Sequence, residues 1–253
     1  MATTRTRLDV ALVARGLAES RTRAEALVLA GRVKVKGVER PKPGTPVGPG
    51  AEISIEGPEH PWVSRGGVKL AAGLDAFAVD PSGRTCLDVG ASTGGFTDVL
   101  LSRGAARVYA IDVGHGQLHA KLRHDPRVVL REGVNARLLS SGDVPEACSL
   151  LVADVSFISL RLILPAAVPL LAPGAEALLL VKPQFESERG EVGRGGIVRD
   201  PEVRRRALER VVAAAGALGL ACRGTIESPI TGADGNVELL AAFDLGGRGP
   251  ASG

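Results

Sequence analysis

The sequence predicts an α/β protein in two parts: a small amino-terminal α+β module, then a larger domain built on a doubly wound sheet of Rossmann type. Three observations carry that prediction. At Thr85 the patterning changes from short mixed segments to apolar strands alternating with helices. A Gly-rich turn, Gly90-Ala91-Ser92-Thr93-Gly94-Gly95, follows the first of those strands. The excess positive charge is confined to the first quarter, where residues 1–60 hold 10 Lys/Arg against 7 Asp/Glu and the remainder holds 21 of each. A chain of 253 residues has room for one small and one large domain. Aromatic residues are only 3% of the chain, so its core must rest on Ala, Val and Leu.

The small module comes first. Leu8, Ala11, Leu12 and Val13 have helical spacing, with Gly16 as a stop. Ser20 is placed to cap a second helix running to Ala30, with Leu27 on its inner face and Gly31 past its end. Arg32 to Val38 alternates and meets a glycine, the pattern of a strand entering a turn. Pro41, Pro43, Pro46 and Pro49 break the chain before Glu52 to Glu56 alternates again. Arg21, Arg23, Arg32, Lys34, Lys36, Arg40 and Lys42 form a basic cluster suited to phosphate groups. No aromatic residue precedes Trp62, so base stacking is not expected of this module.

Pro58 to Pro61 reads as a linker leading into Trp62-Val63. Beyond it, Thr85–Val89, Arg107–Ile111, Val128–Leu130, Leu150–Ala153 and Ala177–Val181 read as strands buried on both faces. Helices are expected at 96–103, 159–171 and 201–218. Ala221–Glu227 and Val237–Phe243 are close enough in sequence to pair as a terminal hairpin. The predicted organisation is a module at 1–59, a linker at 60–63, the sheet domain at 64–246 and a flexible tail at 247–253.

Some function classes are argued against. Cys86, Cys148 and Cys222 lie far apart, in or beside apolar runs, without zinc-ligand spacing. Buried reduced thiols in a cytoplasmic protein are expected, and no metal site. Met1 to Arg7 is polar and basic with no apolar stretch after it, unlike a signal peptide. No apolar run approaches the roughly 20 residues that span a bilayer, so a membrane role is not expected.

The chemistry concentrates at strand ends. In Leu87-Asp88-Val89-Gly90 an acid precedes the turn, and Phe96 opens the helix after it. Glycines allow close approach of a ligand to the backbone, and a helix amino terminus offers free N–H groups. The spacing is not the dinucleotide fingerprint. A carboxylate before the turn suits an ammonium or sulfonium group and would repel phosphates. Asp112, with Val113, ends the next strand, where an acid accepts hydrogen bonds from ribose hydroxyls. Together Asp88, residues 90–96 (Gly90, Ala91, Ser92, Thr93, Gly94, Gly95 and Phe96), Asp112 and Val113 favour a nucleoside ligand without phosphates, and S-adenosyl-L-methionine fits. Asp154 ends the next buried strand, in Val152-Ala153-Asp154-Val155-Ser156-Phe157-Ile158-Ser159-Leu160. Lys182 ends the fifth, and it is one of only 6 lysines against 25 arginines. In so arginine-rich a chain, a lysine is retained where a compact, deprotonatable amine is useful.

Asp154 and Lys182 at adjacent strand ends, with Lys69 upstream and Glu238 in the last strand, resemble the Lys-Asp-Lys-Glu tetrad of FtsJ-like RNA 2'-O-methyltransferases. Trp62 to Leu70, the Asp88–Phe96 loop, Asp154–Leu160, Val181–Phe185 and Gly235-Asn236-Val237-Glu238 resemble the TlyA family. In that family an RNA-binding domain of the ribosomal-protein-S-four type precedes the methyltransferase, and residues 7–56 look like that domain. The resemblance implies a class I methyltransferase fold and S-adenosyl-L-methionine as cofactor. Its implied substrate is cytidine in ribosomal RNA of the small subunit, the large subunit or both, met in subunits or ribosomes. It also implies an effect on susceptibility to capreomycin-type antibiotics, and some relatives carry haemolysin names. The chain departs from the family pattern at His60, where Arg is usual, and at His115, where Tyr is common. It also ends soon after Phe243, where some dual-substrate relatives continue into another helix.

On this reading Lys69, Asp154, Lys182 and Glu238 are the catalytic set. A ribose hydroxyl is a poor nucleophile, so it must be positioned and helped to lose its proton. Lys182 is the candidate for accepting that proton; the alternative is that it only orients the hydroxyl and the proton leaves after methyl transfer. Two rival readings are a membrane-active haemolysin without catalysis and an RNA-binding protein with a decayed catalytic fold.

Overall fold

The structure, a computed structural model, describes residues 5–18, 20–29, 31–39, 41–55, 60–232 and 235–246. Arg40, Glu56 and the tail at 247–253 lie outside the described residues. The chain divides into two compact units, Met1–Pro61 and Trp62–Gly253. Trp62 and Val63 therefore fall in the larger unit, where they pack against its core.

The small unit contains β1 (Thr6–Arg7), α1 (Leu8–Ala14), α2 (Arg21–Leu29), β2 (Val33–Val35), β3 (Pro46–Val47) and β4 (Ile53–Ile55). β1 pairs with β3 and β2 with β4, both antiparallel. A two-residue pairing such as β1–β3 leaves no periodicity to read. Leu8, Leu12, Ala24, Leu27, Val28, Val33, Val35 and Val47 form the core. The Ser20 hydroxyl accepts the Arg23 N–H at 3.2 Å before α2 begins. Asp9 is fully buried and accepts hydrogen bonds from Arg7 at 3.1 and 2.9 Å and from Arg21 at 3.0 Å. Those guanidinium groups, Arg7 first, hold its carboxyl well below the usual carboxylate range.

The larger unit begins with α3 (Gly66–Ala76), β5 (Thr85–Val89), α4 (Gly95–Ser102), β6 (Arg107–Ile111), α5 (Ala120–Arg123) and β7 (Val128–Arg131). It continues with β8 (Cys148–Ala153), α6 (Leu164–Ala167), β9 (Leu171–Val181), α7 (Pro183–Glu186), α8 (Pro201–Gly216), β10 (Leu220–Glu227) and β11 (Leu239–Leu245). These strands form one 7-stranded sheet in the order β10-β11-β9-β8-β5-β6-β7. From β9 to β7 neighbours are parallel, while β11 runs against both β9 and β10.

Side chains alternate across the sheet. Leu87 and Val89 face α6 and α8, packing with Leu164, Ala167, Val211 and Ala215. Cys86, Val108 and Val152 face α3 and α4, packing with Leu70, Leu74, Val99 and Leu100. Aliphatic side chains fill both layers, as the low aromatic content requires.

Two sequence expectations are corrected. Residues 159–171 are not one helix: two 3-10 turns flank the four-residue α6, and Leu171 already begins β9. Pro165 and Pro169 interrupt the hydrogen-bond ladder there. Cys222 is exposed rather than buried, because it lies on β10 at the sheet edge. The helix α3 lies where the sequence reading assigned no element, and it carries three glycines in 11 residues. Those glycines serve contact: a Cβ on Gly67 would run into the Trp62 ring, and one on Gly73 would come within 2.8 Å of Leu178.

β5 pairs with β6 on one side and β8 on the other, so the chain reverses its winding at the carboxyl ends of β5 and β8. A crevice opens at such a switch point.

Candidate active site

At the switch point Val89 and Ala153 are paired residues, and the Asp154 N–H donates to the Val89 carbonyl at 3.0 Å. Gly90 follows with φ +87°, and a Cβ there would collide with the Asp154 carbonyl oxygen. Only glycine lets the turn pass. The Gly90 and Ala91 N–H groups donate to the Ile111 carbonyl at 2.9 and 3.1 Å. Asp112 braces the turn, accepting from Ser92 N–H and Gly114 N–H, each at 2.7 Å. Ser92 itself has φ +47°, and its hydroxyl donates to Gln117 at 3.2 Å.

The turn borders two adjoining cavities. One, of about 580 Å³, is lined by Asp112, Val113, Gln117, Asn135, Ile158 and Ile163, among others. The other, of about 930 Å³, is lined by Ala91, Ser92, Thr93, Gly95, Phe96 and by Lys69, Asp154, Lys182 and Glu238. Gly90, Ser92, Asp154, Ser156 and Phe157 line both.

Two proposed ligand residues sit differently from their neighbours. Gly94 lines neither cavity; it has φ +98°, and a Cβ there would strike Leu122. Asp88 also lines neither, because it is fully buried within β5. It accepts the Thr97 hydroxyl on one oxygen at 2.6 Å, and its other oxygen has no partner. Burial pushes this carboxyl up to about 7, against the hydrogen bond from Thr97.

The four tetrad residues come from four elements. Lys69 lies on α3, Asp154 follows β8, Lys182 follows β9 and Glu238 precedes β11. Because β11 is reversed, with Leu239 paired to Val181, its first residues lie at the carboxyl ends of the parallel strands. That reversal brings Glu238 beside Lys182. The four form two ion pairs. Lys69 donates to Glu238, both buried, at 8% and 3% exposure. Lys182, 9% exposed, pairs with Asp154 at 2.6 Å and donates to the Ser156 hydroxyl at 2.9 Å.

Around this set lie residues that motif reading did not single out. Glu186 is 1% exposed and accepts from the Ser159 hydroxyl at 2.5 Å and the Leu160 N–H at 2.7 Å. It ties α7 to the loop that carries Asp154, and burial raises its carboxyl. Asn236 accepts the Val198 N–H at 2.9 Å and donates to the Gly196 carbonyl at 2.9 Å. Asn236 stood in a string already noted, two before Glu238, and Glu186 stands next after the string that ends at Phe185. Phe157 is 92% exposed with φ +64°, and its ring centroid lies 5.3 Å from that of Phe185.

In the small unit the basic residues divide. Arg21 is engaged by buried Asp9, and Lys36 pairs with Glu52 at 2.9 Å. Arg23, Lys34, Lys36 and Lys42 are exposed, and Arg32 is half-buried.

The cleft suits a nucleoside bearing a cation. The smaller cavity combines apolar walls from Ile111, Val113, Val134 and Ile158 with the Asp112 carboxylate and two side-chain amides. The bare backbone at Gly90 forms the floor where the two cavities meet. The unpartnered Asp88 oxygen adds a buried polar atom beneath the turn.

A Rossmann-like sheet with its next-to-edge strand reversed, and a lysine–carboxylate cleft at its switch point, define a methyltransferase of class I. The model of the FtsJ-like methyltransferase family matches residues 62–245, and that of the S4 domain matches residues 6–53. The chain belongs to the TlyA family of FtsJ-like methyltransferases with an amino-terminal S4 domain. It is 49% identical to the 16S/23S rRNA (cytidine-2'-O)-methyltransferase TlyA of Mycobacterium tuberculosis, over 93% of this chain and 88% of that one. It is 41% identical to Hemolysin A of Brachyspira hyodysenteriae, over 94% and 99% respectively. A solved structure from Streptococcus thermophilus, also named a hemolysin, shares 42% identity with a TM-score of 0.75, covering 96% of this chain and 90% of that one. Among the described residues no helix is long and apolar enough to cross a membrane.

Proposed function

We propose that the protein transfers a methyl group from S-adenosyl-L-methionine to the 2'-hydroxyl of cytidine in ribosomal RNA of the small subunit, the large subunit or both. The observation that carries this reading is the convergence of Lys69, Asp154, Lys182 and Glu238 on one cavity beside the Gly90 turn. The M. tuberculosis relative, named for this reaction, supports it. The protein acts in the cytoplasm on ribosomal subunits or ribosomes, and the modification affects susceptibility to capreomycin-type antibiotics.

Asp112 and its neighbours hold the nucleoside, while Asp88, buried beneath the turn and bonded to Thr97, supports the loop that receives the cationic part of the ligand. The cofactor, when bound, supplies an electrophilic methyl group on a sulfonium. Lys182, fixed by Asp154, orients the 2'-hydroxyl and accepts its proton. Lys69 and Glu238 brace the opposite wall and keep the hydroxyl in register. Phe157 offers an aromatic face to the target base. The small unit at residues 1–59 contacts RNA phosphates through Arg23, Arg32, Lys34, Lys36, Arg40 and Lys42, with Arg21 chiefly holding Asp9.

The test is to map 2'-O-methyl groups on both ribosomal RNAs after incubating subunits with protein and cofactor. Discrete methylated cytidines are expected; their absence from both RNAs would refute the reading. In single-turnover assays Lys182→Ala and Lys182→Arg should each lose about 10²–10⁴ in rate, the usual worth of a general acid–base group. An arginine keeps the charge but cannot be deprotonated. Near wild-type turnover in Lys182→Arg would reduce the lysine to a fixed positive charge.

A further inference from the structure

We propose that Ser156 is a positioning residue for Lys182, holding its amine aimed at the substrate hydroxyl in both the charged and the neutral state. The proposal rests on the reading of Lys182 given above.

A lysine ammonium has three N–H donors arranged as a rotor about the Cε–Nζ bond. Asp154 lies 2.6 Å from that amine as its ion-pair partner, but its near oxygen accepts no aligned hydrogen bond, so it balances the charge and leaves the rotor free. The Ser156 hydroxyl accepts one N–H at 2.9 Å, which sets the rotor angle and with it the directions of the other two positions. Lys182 is 9% exposed and lines the larger cavity, so those positions are held among the groups of the site.

The two partners differ in one respect. A carboxylate only accepts hydrogen bonds, whereas a hydroxyl both accepts and donates. Ser156 accepts from the ammonium and, by rotating its own hydrogen, can donate to the neutral amine. Its contact survives the change of charge that proton acceptance requires.

The backbone around Ser156 is held on both sides. Two residues before it, the Asp154 N–H is bonded to Val89 in the central strand at 3.0 Å. Three residues after it, Ser159 is bonded to Glu186, four residues beyond Lys182. Between them Phe157 takes φ +64°, a conformation that costs a non-glycine residue about 1–3 kcal/mol and persists where surroundings enforce it. The loop and Lys182 are thus fastened to each other through Glu186. Ser156 lines both cavities, at the place where a bound nucleoside and the tetrad would meet.

The experiment uses the full chain, with Ser156→Ala, Ser156→Thr and Lys182→Ala beside wild type. Single-turnover methyl transfer is measured at saturating RNA and cofactor, with cofactor affinity by calorimetry, RNA affinity by filter binding, and melting midpoints. Ser156→Ala should lose about 10- to 100-fold in rate, matching one hydrogen bond to a charged group. Affinities should stay within about 2-fold, too small to count beside one such bond, and Ser156→Thr, which keeps the hydroxyl, should recover most of the rate. Ser156→Ala at wild-type rate, or a loss that Thr does not rescue, or one confined to affinity, would overturn the proposal. If Lys182→Ala is inactive while Ser156→Ala is unimpaired, the Ser156 role alone fails. If Lys182→Ala keeps full rate, the parent reading fails and this role with it.

Discussion

The Lys69–Glu238 pair offers a quantitative test of whether the tetrad holds the fold or serves the chemistry. Both side chains are buried, with 10% and 3% of their side-chain surface exposed. Glu238→Gln keeps the shape of the carboxylate and removes its charge. It leaves the Lys69 ammonium with no counter-ion in a poorly solvated wall. Breaking a buried pair by removing one partner costs about 3–5 kcal/mol. Lys69 borders an open cavity, so water can reach it, and the lower end, about 3 kcal/mol, is the better expectation. For a unit of this size that corresponds to a melting midpoint lowered by roughly 6–12 °C. Lys69→Met should cost a similar amount, because it strands Glu238 instead. The double variant Lys69→Met/Glu238→Gln carries no buried charge and should recover most of the loss. All three should fail in methyl transfer. Calorimetric melting beside a single-turnover assay separates the two effects. If the double variant melts at the sum of the single losses, the residues are not coupled and the pair contributes nothing as a pair. If it melts near wild type and still methylates, the pair has no catalytic part.

Three further outcomes are expected. Asp88 titrates at about 7 in the folded protein against an ordinary 3.8, so between those values the folded state holds a proton that the unfolded chain has lost. Stability is therefore undiminished below about pH 4, falls as pH rises, and by pH 7 has lost on the order of 4 kcal/mol through this group. Asp88→Asn should flatten that decline in denaturant titrations at several pH values, and an unchanged slope would remove Asp88 as its source. Gly90→Ala should abolish cofactor binding and destabilise strongly, whereas Gly83→Ala, with φ +70° but nothing within 4 Å of the new Cβ, should cost only about 1–2 kcal/mol of backbone strain. Equal losses in the two would show that the clash with Asp154 is relieved. Replacing Arg23, Lys34 and Lys42 by Gln should lower the slope of log affinity against log salt by about 0.7–0.9 per lost phosphate contact. Arg21→Gln should instead lower the melting of the small unit by freeing Asp9, and a pure loss of RNA affinity there would overturn that assignment.

Strands β5 and β6 were legible to the residue, because each is an apolar run closed by an acid and a turn. Asp154 and Lys182 were legible for the same reason, since each stands at the end of such a run, whereas Lys69 and Glu238 were found only through the family resemblance. Contact-driven features were not legible. The glycines of α3 carry no readable reason in the sequence, because that reason, the approach of Trp62 and Leu178, lies elsewhere in the chain. Arg21 read as one more phosphate contact because its partner, Asp9, stands 12 residues earlier in another helix. Pattern cannot say which way Asp88 faces in its strand; the fold turns it under the loop toward Thr97. Ser156 carries no signal beyond its place two residues after Asp154.

The division of the tetrad into two pairs follows from the cost of burying charge. A buried ion pair is often no more stabilising than well-packed apolar side chains of the same volume. The fold has no need of Lys69 with Glu238, or of Lys182 with Asp154, to hold its layers, since Leu70, Leu178, Leu180 and Leu240 already pack them. What the pairs provide is two ammonium groups on one cavity, each with its own carboxylate. Unpaired, two lysines on one cavity would repel each other and draw in water. Paired, they leave a site that is near neutral, which under the proposed function receives a hydroxyl beside a cationic ligand. That arrangement requires a carboxylate from β11 at the same end as those from the parallel strands, which a wholly parallel sheet would place at the opposite end. The reversed β11 is therefore part of the site as much as of the fold, and the 169-residue separation of Lys69 from Glu238 reflects the length of chain needed to build it.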